Sequence, residues 1–281
     1  MHIETEEDGS EQRNLYLTLL RDTLSFLLWE ESPRPIAEST TGGLRRRLLA
    51  GVDTLVRPLG GLVAWQPSVT HQMRREGAFW PSQAHTMIGT YRLDNLRMAV
   101  ETVIAEGIPG DLIETGVWRG GSCIFMRGIL KAYGDQARKV YVADSFAGLP
   151  PPEPGKYPAD KGDKLHRFSE LAIPRSKVED HFRRYGLLDE QVVFVEGFFE
   201  HTLHKLDNES FAIIRLDGDM YSSTIQALEG LYPKLSKGGY CIIYDHALTT
   251  CQKAVADFRA AHGITDELVK IDWTGVYWRK S

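Results

Sequence analysis

Asp111-Leu-Ile-Glu-Thr-Gly-Val-Trp-Arg-Gly-Gly-Ser122 runs in the order apolar strand, terminal acid, glycine turn, helix start. Glycines at 116, 120 and 121 let the backbone turn sharply and approach a ligand, and free N–H groups opening the next helix can face a carboxylate or phosphate. The spacing is not the GxGxxG of dinucleotide enzymes, because Glu114 stands before the first glycine. A second acid, Asp144, closes another apolar run, Val140-Tyr-Val-Ala-Asp144. An acid ending a second parallel strand suits a ribose diol.

Outward from this stretch, apolar runs alternate with helical patterns, which predicts an α/β domain with a parallel sheet covered by helices on both faces. The strands fall over 111–114, 139–144, 192–196, 211–216 and 239–244. Two more, over 268–273 and 276–279, are joined through Thr274-Gly275 and form an antiparallel hairpin at the sheet edge. Residues 1–13 are acidic, lack apolar periodicity and read as a mobile tail. Residues 15–29 read as an amphipathic helix ended by Pro33 and Pro35, and a helix over 93–106 is ended by Gly107 and Pro109. The division is therefore a tail over 1–13, a helical and lid region over 14–85, and a catalytic domain over 86–281. The loop over 148–174 is too long for a bare connector and reads as a lid.

The 281 residues carry a net charge of −5, and a pI near 6.0 argues against a nucleic-acid surface, which needs a basic stripe. Cys123, Cys241 and Cys251 have no CxxC spacing and read as small hydrophobes in a reducing cytoplasm. No leader pattern or run of about 18 apolar residues is present, so a soluble protein away from membranes is expected.

Phe211-Ala-Ile-Ile-Arg-Leu-Asp217-Gly-Asp219-Met-Tyr221 sets two carboxylates beyond the carboxyl end of a buried strand. Tyr240-Cys-Ile-Ile-Tyr-Asp245-His246 delivers another acid and a histidine to the same rim. Carboxylates at neighbouring strand ends repel unless a cation lies between them, and oxygen-rich sites suit Mg²⁺, Mn²⁺ or Ca²⁺. A divalent ion at Asp217 and Asp245 is the expectation. Each motif alone has a plainer reading: Asp-Gly-Asp as a turn, the glycines as close helix packing, His246 as a rim residue. His201 and His204 read as surface residues. The coincidence of all the acids at strand carboxyl ends is what points to a site.

On these residues the chain resembles the macrocin O-methyltransferase family, which methylates hydroxyls on deoxysugars of macrolide and related antibiotics. The matching stretches include Trp80-Pro-Ser-Gln-Ala-His-Thr-Met-Ile-Gly89, Gly110 to Gly121, Asp144-Ser-Phe-Ala-Gly-Leu-Pro150 and Arg215-Leu-Asp-Gly-Asp-Met-Tyr221. The resemblance implies a Rossmann-like, seven-stranded class I methyltransferase fold using S-adenosylmethionine and Mg²⁺, with an antiparallel last strand. It implies that Glu114, Thr115, Gly116, Arg119, Gly120 and Ser122 surround the methionine part of the cofactor and that Asp144 holds its ribose. Ser145, Phe146, Gly197, Phe198 and Phe199 would border the adenine, Thr86, Met87 and Ile88 would close over it, and Asp217 would touch both cofactor and metal. Asp217 and Asp245 match the family's metal ligands. Where the family commonly reads Val-Asp-Asp plus an aromatic, this chain has Ile243-Tyr244-Asp245-His246, so His246 or water takes the place of the first aspartate.

A sugar hydroxyl is a poor nucleophile at neutral pH and needs charge stabilisation and a base. Asp219 is the preferred base, with Asp217 or His246 in reserve. The expected partner is a glycosylated small molecule, and the apolar first helix with Trp65 and Trp80 suggests a homo-oligomer. A phenolic or catechol-type acceptor also suits such a metal site. An Asp-X-Asp glycosyltransferase fits Asp217-Gly-Asp219 and leaves Glu114 and Asp144 unexplained, and a non-catalytic cofactor-binding protein fits the Tyr244 departure.

Overall fold

The computed structural model describes residues 4–36 and 44–281. Helix α1 (Glu4–Leu24) opens the chain. It begins inside the acidic stretch expected as a tail, because Glu, Gln and Arg are strong helix formers and carry the helix back from its apolar half. Between it and the main sheet lie β1 (Arg34–Pro35), α2 (Leu44–Val56), β2 (Ala64–Trp65) and α3 (His71–Glu76), with β1 and β2 paired antiparallel. The remaining elements are α4 (Thr90–Ala105), β3 (Asp111–Thr115), α5 (Gly121–Ala132), β4 (Val140–Asp144), α6 (Arg175–Arg184), β5 (Val192–Glu196), α7 (Phe199–Thr202), β6 (Phe211–Leu216), α8 (Tyr221–Leu231), β7 (Leu235–Ile243), α9 (Thr249–Ala261), β8 (Val269–Lys270) and β9 (Val276–Arg279).

Seven strands form the main sheet in the order β5-β4-β3-β6-β7-β9-β8. The first five are parallel, and β9 runs antiparallel to both β7 and β8. The expected two-residue turn is a longer one: Ile271 N–H donates to Gly275 O at 2.8 Å, and the Asp272 side chain accepts from the Thr274 and Gly275 N–H groups at 3.0 and 2.7 Å. An aspartate that caps its own turn in this way competes with ladder bonding and shortens the hairpin.

Side chains alternate between the two faces of each strand. Leu112, Val140, Val142, Ile213 and Ile242 pack beneath α1, α4, α5 and α6. Ile113, Tyr141, Ile214, Cys241 and Ile243 pack against α8 and α9, with Trp278 fully buried among them. This three-layer core holds the carboxyl ends of β3, β4, β6 and β7 along one rim. Among the described residues no helix is long and apolar enough to cross a membrane.

Candidate functional site

At that rim opens a cleft of about 590 Å³. Its inner wall is the turn after β3. Gly116 has φ +80°, and a Cβ there would overlap the carbonyl oxygen of Asp217, so only glycine lets the two strand ends pass this closely. The Asp144 carboxylate lies across the turn, accepting from Val117 N–H at 2.8 Å and Phe146 N–H at 2.7 Å. Burial raises its pKa, and these N–H groups oppose the rise.

The floor is acidic. Asp217 accepts from the Arg215 guanidinium, and Asp245 accepts from Asp219 N–H at 3.1 Å. Asp219 sits in left-handed backbone at φ +57°, held where its carbonyl accepts from Thr250 Oγ1 at 3.0 Å. Burial, then the charges of Asp217 and Asp163, push the Asp219 carboxyl up to about 7. Asp245 rises well above the carboxylate range through burial and repulsion from Asp217 and Asp219, and it lies within hydrogen-bonding reach of Asp217. Three carboxylates crowd together here and Arg215 offsets one charge.

Of the expected cofactor residues, Met87, Ile88, Gly116, Asp144, Ser145, Phe198, Phe199 and Asp217 line the cleft. The others stand behind its wall. Glu114 is buried and ion-paired with Arg215, and Cys123 Sγ donates to it at 2.9 Å. Thr115 and Ser122 are buried. Arg119 donates to the carbonyls of Ser82 and Ala84 at 2.9 and 2.8 Å, and Gly121 N–H donates to His85 O at 2.9 Å. They fasten the segment over 82–88 onto the glycine turn. Thr86 accepts from Ile88 N–H at 3.3 Å, Gly120 packs on Val178, Phe146 packs on Phe194, and Gly197 N–H donates to Asp144 O at 2.9 Å.

His246 does not share the acidic floor. It lines a separate shallow pocket with Lys253 and Arg259, and burial followed by the Arg259 charge lowers its pKa. Tyr244 also turns away: it is buried, donates from its hydroxyl to Arg92 O at 2.7 Å, and lies under the Arg215 guanidinium at 4.3 Å from the ring centroid. Among the described residues, no group of three or more His, Cys, Asp or Glu has metal-binding geometry.

Several residues of the site carried no reading in the sequence. Arg215 was legible in principle, as a charge inside an apolar strand that demands a buried acid. Asp160, from the long loop, is buried and accepts from Tyr221 N–H at 2.7 Å and Ser222 N–H at 3.0 Å. Phe79, Leu248 and Trp273 line the outer cleft. Trp273 Nε1 donates to Glu76 O at 2.9 Å, and Arg92 pairs with Asp272 at 2.9 Å, so the hairpin loop closes against α3 and α4.

The profile of the family described as Macrocin-O-methyltransferase (TylF) matches residues 13–280. The chain is 45% identical over 268 residues, 95% of its own length and 93% of the relative's, to 8-demethyl-8-(2,3-dimethoxy-alpha-L-rhamnosyl)-tetracenomycin-C 4'-O-methyltransferase of Streptomyces olivaceus. It is 42% identical over 270 residues, 95% and 96% of the two chains, to Mycinamicin III 3''-O-methyltransferase of Micromonospora griseorubida. Its fold superposes on the O-methyltransferase NovP with a TM-score of 0.82, 41% identity and coverage of 96% and 99% of the two chains.

Proposed function

The chain belongs to the macrocin O-methyltransferase family, and from that premise we propose that it methylates a deoxysugar hydroxyl of a glycosylated natural product, using S-adenosylmethionine and Mg²⁺. The observation that carries this reading is the meeting, in one cleft, of the Gly116 turn and Asp144 with Asp217, Asp219 and Asp245. Binding and proton-accepting groups thus face one another at the carboxyl edge of the sheet, where open α/β folds bind ligands.

Asp144 would hold the cofactor ribose, with Ser145, Phe198 and Phe199 beside the base and Met87 and Ile88 closing over it. Asp217 and Asp245 would hold the cation. Their crowded oxygens suit a hard divalent ion, and Mg²⁺ is ordinarily held by one or two carboxylates and completed by water. When bound, that ion stabilises charge developing on an alkoxide oxygen. Asp219, in the same floor, would accept the hydroxyl proton. Bound S-adenosylmethionine would supply the methyl group to the hydroxyl oxygen, and Asp219 would take the proton that the oxygen gives up. The segment over 82–88 and the loop over 148–174 exclude water from this step.

The three buried, unpaired thiols support a cytoplasmic location. The exposed Leu48, Val52 and Leu55 on α2, with Leu15 and Leu19 on α1, support a homo-oligomer.

The test is calorimetric titration with S-adenosylmethionine, then with Mg²⁺ in its presence, on the parent and on Asp217→Ala. Micromolar cofactor binding and a metal heat lost in the variant are expected, followed by methylation of a deoxysugar glycoside. A folded protein that ignores the cofactor overturns the reading.

A further inference from the structure

The outer cleft is fringed by large apolar side chains that stand exposed among the described residues. Trp80 is 47% exposed, Phe168 44%, Leu248 40% and Trp273 55%. They come from four separate parts of the chain: the segment before α4, the long loop over 148–174, the turn that follows β7 and the turn that follows β8. All but Phe168 line the same cleft, and Phe168 joins them by edge contact with Trp80, their ring centroids 5.6 Å apart at 64°.

Trp273 is held in place by a polar anchor although its face remains bare, and the Trp80 backbone is tied down as well. The Trp273 indole is fixed by its Nε1 bond to Glu76 O at 2.9 Å. Its neighbours Asp272 and Thr274 are tied down as well, the first by Arg92 at 2.9 Å and the second by its hydroxyl donating to Tyr244 O at 2.8 Å. The Trp80 carbonyl accepts from Arg34 at 3.0 Å. A flat ring whose rotamer is fixed before a ligand arrives loses little entropy when the ligand covers it.

The cleft of about 590 Å³ carries both groups in one lining, the acids Asp217, Asp219 and Asp245 and the apolar Trp80, Leu248 and Trp273. With the sugar hydroxyl at the Asp219 carboxylate, whatever the sugar is attached to must leave through the fringe. We infer that Trp80, Phe168, Leu248 and Trp273 form a subsite for a flat, apolar aglycone. This rests on the sugar-methylating reading above and adds to it the chemical class of the group beyond the sugar.

The experiment compares kcat/KM of the full-length protein, with S-adenosylmethionine and Mg²⁺, for the methyl, cyclohexyl and 2-naphthyl glycosides of one 6-deoxyhexose. The naphthyl glycoside is expected to exceed the methyl one by about tenfold, from stacking on one or two ring faces, with the cyclohexyl glycoside between them. In Trp273→Leu, and separately in Phe168→Ser, that ratio falls towards one. Cofactor titration of each variant at parental affinity establishes that the cleft is intact, and Phe168→Ser guards against a folding defect in Trp273→Leu. Equal efficiency on all three glycosides, or a ratio that survives both substitutions, overturns the subsite and leaves the sugar reading standing. Cofactor binding with transfer to none of the glycosides overturns the sugar reading and the subsite with it.

Discussion

Asp160→Ala tests how the long loop is coupled to the acidic floor. Helix α8 begins directly after Asp217-Gly-Asp219, and its N-cap, Met220, has no side-chain oxygen to offer the first free N–H groups. Asp160 supplies what is missing from 61 positions away, taking the Tyr221 and Ser222 N–H groups on its two oxygens at 2.7 and 3.0 Å while only 1% exposed. Its negative charge also meets the positive end of the helix dipole. Removing an N-cap side chain costs about 0.5–2 kcal/mol. Two bonds are lost together and the Ser222 donor is left buried, so the top of that range, about 2 kcal/mol, is the expected loss. For a chain of this length that lowers Tm by roughly 3–4 °C. The second effect is on chemistry. Loosening the start of α8 frees the Asp217 to Asp219 turn, and displacement of about 1 Å at a reacting group costs up to roughly 100-fold in rate. A fall in kcat with little change in cofactor affinity is expected. Asp160→Asn keeps one acceptor oxygen and should lose about half as much stability. The assay is urea unfolding together with single-turnover methylation. Stability within about 0.5 kcal/mol of the parent, together with an unchanged kcat, would refute the coupling.

Four further outcomes follow from the same geometry. Gly116→Ala forces a Cβ into the Asp217 carbonyl at φ +80° and should abolish cofactor binding by calorimetry; retained affinity means the turn can move aside. Glu114→Leu strips a buried partner from Arg215 and should cost about 3 kcal/mol or more in urea unfolding, against a smaller loss in Glu114→Gln. His85 is depressed to about 4 by burial and then by the charge of His181. The folded state therefore binds fewer protons than the unfolded one, so stability present above pH 6.5 should drain away as pH falls towards 4, by about 1–2 kcal/mol after allowing for solvent screening; His85→Gln should flatten that slope. A base role for Asp219 requires Asp219→Asn to slow single-turnover methyl transfer by about 100-fold or more, and a variant that keeps both rate and pH profile would remove it from the mechanism.

The sheet was legible because its signal is periodic and local. Alternating apolar runs placed the five parallel strands, and the acids at their carboxyl ends marked the rim, since a charge that ends a buried strand has nowhere to lie but the edge. What failed was direction. Glu114 lies one residue inside the end of β3 whereas Asp144 ends β4, and its carboxylate is buried against Arg215, its register partner on β6. A guanidinium in the middle of Phe211-Ala-Ile-Ile-Arg-Leu216 cannot be buried alone, so it claims the nearest acid. The strand alone would have shown that Arg215 needed an acid; only the sheet order shows that the acid is Glu114.

The same argument separates Asp245 from its neighbours. Side chains along a strand alternate in direction, and Tyr244 follows Ile242 onto the α4 and α5 face, where its hydroxyl reaches Arg92 and its ring takes the Arg215 guanidinium. Asp245 is left facing the floor, and His246 lies past it, in the pocket beside α9. Sequence adjacency suggested that His246 joined the acids; strand parity and the start of a new turn send it elsewhere. Asp160 and the aromatic fringe were illegible for a different reason. A helix cap is recognised by its place just before the helix, and one supplied from a loop 61 positions away has no local signature. Trp80, Phe168, Leu248 and Trp273 likewise lie on segments with no shared period, and only the folded sheet rim brings them to one opening. The glycine turn and the strand-end acids were written in local motifs. The proposed acceptor subsite is distributed across loops, where composition carries no address.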